Sequence, residues 1–399
     1  MSKKVLIMSA STGGGHNRAA RAIKEELESR TINGISIECE IIDSLKLVNT
    51  TMDKVISQGY EKSAIYTPKA FGSVYKFSET TIASRNEFKS NPLTSLMAKK
   101  FKYLLNNSKP DLIIGTHPFP MIALSTLKKN KNIHSFNRNE ILHKSINITI
   151  PPMISVLTDY TTHSTWIQNE IDYYIVGHEY VKELLAYEGV KSEKIKAFGI
   201  PVEKSFLKHR DKHTVLKELG LSTNKLTILL MGGSFGAGNI KETLEDLLTI
   251  DRDFQIIVIT GRNEHLKEKL SKILNTTPHN KDICLLGYTN KMNDILASID
   301  LLISKPGGLT TTEALLNDVP MIVPYFIPGQ EEENLDFLTN CGAALKTTKK
   351  YNLSVLLKVL IDNPSRLDNL RKNIKSIRKF DSAVNISNLV VDILTDNDN

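Results

Sequence analysis

A glycine turn in the later part of the chain has the residue types of a phosphate and sugar site. Gly307 and Gly308 follow an apolar run and precede a helical stretch, Thr310–Leu316. Such a turn leaves backbone N–H groups at the positive end of a helix, which favours anions. We expect Glu313 in the first turn, where its carboxylate can accept hydrogen bonds from sugar hydroxyls. These residues point to a phosphorylated sugar as ligand.

A polar cluster after the next apolar run extends this site. Pro320–Val323 is expected to be a strand, and the polar cluster that follows it, Gln330–Asn334, is expected to be a loop. Ligands of α/β proteins bind where parallel strands end, so both stretches should meet at one sheet edge. The residues expected to bind there, besides the two glycines and Glu313, are Lys305, Thr310, Gln330, Glu331 and Asn334.

A second glycine-rich turn near the start of the chain carries a candidate base. Three glycines, Gly13 to Gly15, precede His16 and a helical stretch, Asn17–Ser29. The positive helix end disfavours an imidazolium, so a neutral imidazole there can accept a proton near pH 7. A histidine that only hydrogen-bonds the turn is the alternative. Arg18 stands where a dinucleotide fingerprint needs its third glycine, which argues against an NAD enzyme.

Two further candidates follow the strand expected at Met153–Thr158. Asp159 and His163 could orient an acceptor or serve as the base instead of His16. Capping of the loop after the strand is the alternative for both residues.

The elements that position these residues repeat one pattern. Val5–Met8 and Leu226–Met231 are apolar runs of strand type, and each leads into a glycine turn and a helix. The second of these turns, Gly232–Gly238, includes Gly233 and Ser234. The pattern predicts an α/β fold with two Rossmann-like domains facing each other across a cleft.

The domain limits are expected at a charged stretch. Lys204–Leu219 is expected to be one connecting helix. Residues 1–203 would form the first domain and residues 204–380 the second. A final helix within residues 381–399 could cross back to the first domain.

Composition narrows the partners and the compartment. Residues 1–150 hold 22 Lys and Arg against 12 Asp and Glu, whereas the rest holds 29 against 32. A basic half suggests contact with an anionic surface, either lipid or nucleic acid. Three widely spaced cysteines, no leader before the first strand and no apolar run of spanning length predict a cytoplasmic location.

Residues 50–105 interleave aromatic and basic side chains, as in Tyr75, Phe77 and Arg85. This pattern suits a membrane interface, where rings lie at headgroup depth and cations meet anionic lipid. A helical pair with core aromatics and solvated lysines is the alternative. No RNA-binding signature is present, so nucleic acid is not expected. Residues 128–148 are polar and are expected to be a surface insertion.

No metal is expected at the anion site. The Gly307 turn together with Lys305 or Arg262 can neutralise a diphosphate. The Asp251-Arg252-Asp253 triplet has a spacing that some transferases use for Mn²⁺, but it precedes a strand and is interpreted as a solvated turn.

The ordered set of these stretches resembles one family. The chain is similar to GT-B glycosyltransferases that glycosylate diacylglycerol, namely monogalactosyldiacylglycerol synthases and bacterial processive diacylglycerol β-glucosyltransferases. The segments that carry the resemblance are Ser11–His16, Thr158–Trp166, Ser304–Ala314 and Pro328–Asn334, supported by Gly232–Gly238 and Thr260–Asn263.

The resemblance implies a UDP-glucose or UDP-galactose donor, a diacylglycerol acceptor, inversion at the anomeric carbon and association with the inner face of the cell membrane. It assigns the acceptor, with Gly14 and Gly15, to the first domain and the donor to the second. By position, Glu313 would bind the uridine ribose, and Arg262 would lie near the uracil or the diphosphate. The remaining implied roles are diphosphate binding for Gly307, Gly308 and Thr310, hydroxyl binding for Gln330, Glu331 and Asn334, and the base for His16.

Three other functions stay open at this stage. A transferase that uses UDP-N-acetylglucosamine on a cell-wall lipid precursor has the same architecture. A UDP-sugar epimerase shares the scaffold but does not need a basic aromatic face. A non-enzymatic sugar-nucleotide sensor could keep Glu313 without His16.

Overall fold

The computed structural model describes residues 2–11, 14–48, 92–130, 149–233 and 238–396. Two compact units make up the chain. The first contains the described residues up to Glu203 together with 381–396, and the second contains Lys204–Phe380. Each unit is built on one sheet, and we describe each separately.

The first unit has a seven-stranded sheet in the order β2-β3-β1-β4-β5-β6-β7. All neighbouring strands run parallel except β2, which pairs antiparallel with β3. The strands are β1 Lys3–Ser9, β2 Thr31–Ile32, β3 Ile35–Asp43, β4 Leu112–Gly115, β5 Met153–Val156, β6 Tyr173–Ile175 and β7 Ile195–Lys196. The register places Met8 beside Gly115, and Gly115 beside Ser155, so the chain leaves three adjacent strands at the same edge.

Strand β1 is buried on both faces, as its apolar run predicts. Leu6 and Met8 join one core, whereas Val5 and Ile7 join another on the opposite side of the sheet. The helices of this unit are α1 Gly15–Leu27, α2 Ser44–Val48, α3 Pro92–Ser108, α4 Pro118–Asn130, α5 Glu179–Tyr187 and, from the end of the chain, α14 Ser382–Asp396.

The final helix belongs to the first unit. Helix α14 packs on α1, and its buried side chains Ile386, Val390 and Leu394 share a core with Ile23 and Leu27.

The second unit has a six-stranded parallel sheet in the order β10-β9-β8-β11-β12-β13. Its strands are β8 Thr227–Met231, β9 Gln255–Ile259, β10 Ile283–Leu286, β11 Leu301–Ile303, β12 Met321–Val323 and β13 Ala344–Lys346. Its helices are α6 Lys212–Glu218, α7 Ile240–Thr249, α8 Glu264–Thr276, α9 Met292–Ser298, α10 Gly308–Leu316, α11 Gln330–Asn340, α12 Leu353–Asp362 and α13 Pro364–Ile377. Parallel strands alternating with helices give the mixed α/β class that was predicted.

Two local predictions were wrong. Lys204–Leu219 is not one helix, because a short 3₁₀ turn at Lys204–Leu207 ends before Asp211 caps α6 by accepting from the Thr214 N–H at 2.9 Å. Gln330–Asn334 is not a loop but the start of α11. Gly329 turns the chain at φ 101°, and three glutamates in the first turn are favoured by the helix dipole.

Within the described residues, no helix is both long enough and apolar enough to cross a bilayer. Most of the interleaved aromatic stretch, with Tyr75, Phe77 and Arg85, lies outside the described residues, as does most of the predicted insertion at 128–148. Its first residues, 128–130, form the end of α4.

Candidate active site

His16 lies in the first turn of α1, at the edge where β1 ends. Its Nδ1 is 2.8 Å from the Thr116 carbonyl oxygen and 2.9 Å from the Thr158 hydroxyl oxygen. A carbonyl oxygen can only accept, so Nδ1 carries the hydrogen and donates it to Thr116. The other ring nitrogen, Nε2, is therefore the basic one.

The surroundings of His16 keep it neutral. Burial lowers the pKa of His16 below 6.5, while the charge of Asp159 and the hydrogen bond to the Thr116 carbonyl oppose that shift. The sequence led us to expect the helix terminus as the cause, but loss of solvent is the main one. A neutral imidazole with a free basic nitrogen is the form that a general base needs.

His117 is a neighbour of His16 that was not predicted as a site residue. The two ring centroids are 4.6 Å apart at 77°, an edge-to-face contact. His117 is only 6% exposed, and its Nδ1 accepts the Phe119 N–H at 3.2 Å. Burial, and then repulsion from His16, hold the pKa of His117 well below 6.5. The sequence feature that could have indicated His117 is its place directly before a proline at the end of a strand.

The two other catalytic candidates differ in their surroundings. Asp159 follows β5 and acts electrostatically on His16. His163 is buried and caps a 3₁₀ turn, where its Nδ1 lies 3.2 Å from the Thr165 N–H nitrogen and 2.8 Å from the Thr165 hydroxyl. This is the capping role considered for His163. A direct catalytic role for either residue stays a prediction.

The predicted acceptor glycines flank the same turn. Gly14 is exposed and immediately precedes α1, and Gly15 is its first residue. The Gly14 carbonyl accepts the Arg18 N–H at 3.3 Å, which begins the helix.

In the second unit, the predicted donor residues follow strands that end at one sheet edge. Gly233 follows β8 and Lys305 follows β11, and these two strands are neighbours. A Cβ atom on Gly233, where φ is 73°, would lie 3.5 Å from the Lys305 Cε. The lysine therefore crosses close to the first glycine turn of this unit. Ser234 lies outside the described residues.

Lys305 forms an ion pair with Glu331 at this edge. The second carboxylate oxygen of Glu331 accepts the Ile327 N–H at 2.9 Å. A Cβ atom on Gly307 would lie 3.9 Å from Glu331. Glu331 thus holds the lysine beside the glycine turn, whereas we had predicted that it binds sugar hydroxyls. That role stays a prediction.

The Gly307 turn has the geometry of an anion site. Gly307 is the residue before α10 and Gly308 is its first residue. The first N–H groups of a helix lack partners within it and point toward its positive end. Thr310 is partly exposed in this first turn.

Glu313 lies one turn deeper than predicted. Helix α10 begins at Gly308, which places Glu313 in the second turn, and the residue is only 2% exposed. The alternative of an exposed first-turn acid is also wrong. Asn334 is fully buried in α11, and Gln330 is partly exposed at its start. A buried carboxylate in the helix that follows a glycine turn is a candidate functional group, and sugar binding by Glu313 stays a prediction.

Arg262 has an aromatic partner that was not predicted. Its guanidinium lies 5.1 Å from the centroid of the Tyr288 ring, and Tyr288 is 62% exposed. The two residues follow β9 and β10, which are neighbours in the sheet. Apart from its place after a predicted strand, no sequence feature that we used indicated Tyr288 as a site residue.

The Asp251-Arg252-Asp253 triplet is engaged elsewhere. Arg252 pairs with Asp362 at 2.7 Å, and Asp253 pairs with Lys225 at 3.1 Å. The triplet precedes β9, at the opposite edge from the glycine turns. Across the described ranges, no cluster of three or more His, Cys, Asp or Glu could hold a metal ion.

Comparison with known proteins agrees with this arrangement. Residues 16–202 match the family of monogalactosyldiacylglycerol (MGDG) synthase, and residues 227–385 match the glycosyltransferase family 28 C-terminal domain. A processive diacylglycerol beta-glucosyltransferase of Bacillus pumilus (strain SAFR-032) is 29% identical over 399 residues, covering 99% of this chain and 97% of that protein. The protein of the same description from Bacillus subtilis (strain 168) is 28% identical over 382 residues, covering 96% of this chain and 93% of the relative.

Solved structures agree in fold. The crystal structure of Acinetobacter baumannii MurG has a TM-score of 0.63 at 16% identity, covering 97% of this chain and 99% of that one. Anabaena Alr3699/HepE in complex with UDP-glucose has a TM-score of 0.55 at 13% identity, covering 98% and 99%. The protein is thus a glycosyltransferase of the GT-B fold. Within that class, the chain combines a monogalactosyldiacylglycerol synthase domain at residues 16–202 with a glycosyltransferase family 28 C-terminal domain at residues 227–385.

Proposed function

We propose that this chain moves a hexose from a UDP-sugar to diacylglycerol with inversion at the anomeric carbon. The observation that carries the proposal is the neutral His16, whose Nδ1 is committed to the Thr116 carbonyl and whose Nε2 is the basic nitrogen. The relatives named as diacylglycerol glucosyltransferases suggest the acceptor and favour glucose as the sugar.

Each unit has its own task in this reaction. In the first, His16 Nε2 takes the proton of the attacking hydroxyl as the new bond to the anomeric carbon forms. In the second, the bond from that carbon to the diphosphate breaks, and the N–H groups after Gly307 and the cation of Lys305 stabilise the negative charge that the diphosphate gains. These fixed charges are the basis for proposing that no metal is required.

The test is incubation of the purified protein with UDP-glucose or UDP-galactose and diacylglycerol, with the lipids analysed by mass. We expect one or more hexoses on the lipid with UDP-glucose. Incubation without acceptor tests the epimerase alternative, because an epimerase would change the UDP-sugar itself. Transfer only to a polyprenyl diphosphate sugar would favour the cell-wall precursor alternative.

We also propose that helix α3 contacts anionic lipid. Its outward face carries Lys99, Lys100, Lys102 and Tyr103, the last being 72% exposed, whereas Phe101 is buried in the core. Lysines next to an exposed ring suit the headgroup region, so this face supports a peripheral location on the inner surface of the cell membrane.

Sedimentation with liposomes tests this proposal. We expect binding to anionic vesicles that salt releases, and weaker binding after Lys99, Lys100 and Lys102 are all changed to Gln. A matched control changes three lysines of α8, Lys267, Lys269 and Lys272, to Gln. Equal loss in both triple variants, or binding that salt does not affect, would contradict a specific role for α3.

A further inference from the structure

The second unit has an apolar cavity that the proposed transfer reaction does not use. Its volume is about 480 Å³, and it lies between β13, α12 and α13. This volume falls in the range of about 300–1,000 Å³ that is typical of small-molecule sites. None of the described residues in the Gly232–Gly238 and Gly307 turns lines it.

The walls of the cavity are mostly aliphatic. Leu345, Leu356 and Leu360 line it, together with Val355 and Val359. Val355 and Val359 are four residues apart on one face of α12, and both are exposed. Exposed apolar side chains that line a concave site, rather than standing singly, indicate a binding surface.

Among the described residues that line the cavity, one is charged. Arg366, in the first turn of α13, is exposed, and no ion pair within the described residues involves its guanidinium. Other arginines of this region are paired, Arg371 with Asp300 and Arg378 with Asp318. An unpaired guanidinium beside an apolar cavity fits an anionic head group.

Two exposed cations are neighbours of a lining residue in the chain, whereas the carboxylates of α12 and α13 are ion-paired, Asp362 with Arg252 and Asp368 with Arg371. Lys349 and Lys350 are exposed and directly precede Tyr351, which is 63% exposed and also lines the cavity. In the described part of the chain, no carboxylate lines the cavity. The surroundings thus favour an anion at the rim and a hydrocarbon inside.

From this we propose that the cavity between α12 and α13 binds a single-chain anionic amphiphile, with its alkyl chain along Val355 and Val359 and its head group on Arg366. A fatty acid anion or an alkyl phosphate has this chemistry. The proposal does not depend on which sugar or lipid the enzyme uses, or on the transfer reaction.

Calorimetry with the full chain tests the site, with decyl phosphate below its micelle concentration as the probe. We expect saturable binding of one molecule, binding of neutral decanoyl glycerol that is weaker by about tenfold or more, and no saturable binding of inorganic phosphate. Saturable binding of phosphate alone would show a simple anion site and overturn the proposal. So would the absence of saturable binding by decyl phosphate.

Two variants locate the ligand. Arg366→Gln should reduce decyl phosphate binding to the level of decanoyl glycerol, while Lys372→Gln, an exposed cation on the same helix that does not line the cavity, should leave it unchanged. Val359→Glu places a carboxylate in the wall and should weaken decyl phosphate by more than tenfold. Unchanged binding in both Arg366→Gln and Val359→Glu would place the ligand elsewhere and overturn the proposal.

Competition separates this site from the proposed active site. Saturating UDP should not displace decyl phosphate, and Arg366→Gln should transfer sugar at the wild-type rate without amphiphile. Displacement by UDP would overturn a separate site. Failure of sugar transfer in the wild-type protein would count against the proposed function only, because the calorimetric result does not depend on it.

Discussion

The two sheet edges are built from the same unit, a strand followed by a glycine turn and a helix, but they carry different kinds of polar groups. The first presents His16 and His117, two imidazoles whose pKa values burial lowers. The second presents a lysine paired with a glutamate beside helix N–H groups. The first edge is suited to move a proton, and the second to hold a fixed negative charge. Similar backbone geometry therefore does not determine the chemistry, which the side chains at the turn decide.

The largest expected effect comes from removing the proposed base. His16→Gln should lower kcat by about 10²–10⁴, because the amide can hydrogen-bond but cannot accept the proton. The dissociation constant for UDP should not change, because only the first edge is altered. Steady-state kinetics and calorimetry with UDP measure the two quantities.

His209→Gln is the matched control, since His209 is exposed and belongs to the second unit. Its kcat should equal that of the wild type. If His16→Gln kept the wild-type kcat, the first edge would not supply the base.

The second largest effect should fall on donor binding. Lys305→Gln removes the cation beside Gly233 and Gly307 and should raise the dissociation constant of UDP about 10–100-fold, the range for a hydrogen bond to a charged group. Direct titration with UDP measures it. The exposed Lys349 provides the control, and Lys349→Gln should bind UDP as the wild type does. Unchanged UDP affinity in Lys305→Gln would show that the charge of Lys305 does not contribute to donor binding. It would also weaken the contrast between the two edges.

Local patterns predicted the sheets better than the helix starts. Buried parallel strands appear in sequence as short apolar runs, so the limits of β1 and β8 were predicted to within two residues. The start of α10 was placed two residues too late, at Thr310 instead of Gly308. The helical state of Gln330–Asn334 was missed because three acidic residues resemble a polar loop until the dipole of the helix they begin is considered.

The candidate site was predictable in residue type but not in its contacts. Glycine turns and His16 stand out in the sequence because their types are unusual after an apolar run. The partners of His16 come from Thr116 and Thr158, about one hundred residues or more further along the chain. Only the strand order brings those ends together, so His117 and the Lys305–Glu331 pair could not be inferred from spacing.

A third prediction concerns the pH dependence of catalysis, which should follow the pKa of His16 at the first edge. The negative charge of Asp159 raises the pKa of His16, against the larger lowering by burial. Asp159→Asn removes that charge, so the pKa of His16 should fall further. The acid limb of kcat/KM, which reports protonation of the base in the free enzyme, should then move to lower pH.

The measurement is kcat/KM from pH 5 to 8 for the wild type and for Asp159→Asn. In the wild type the limb should already lie below 6.5, the ordinary histidine value. Asp172→Asn, an acid of the same unit paired with Lys128, is the control and should leave the limb in place. A shift to higher pH in Asp159→Asn would show that another group sets the limb.

The smallest effect is expected at the Arg262 and Tyr288 pair on the outer strands of the second sheet. Tyr288→Leu removes a cation–π contact worth about 0.5–1 kcal/mol at an exposed site, so UDP should bind about 2–5-fold more weakly if the ring holds Arg262 in its binding position. Tyr288→Phe keeps the ring face and should bind UDP as the wild type does. Equally weakened UDP binding in both variants would assign the effect to the hydroxyl group of Tyr288. Unchanged UDP binding in both would indicate that the donor contacts only the Lys305 side of this edge.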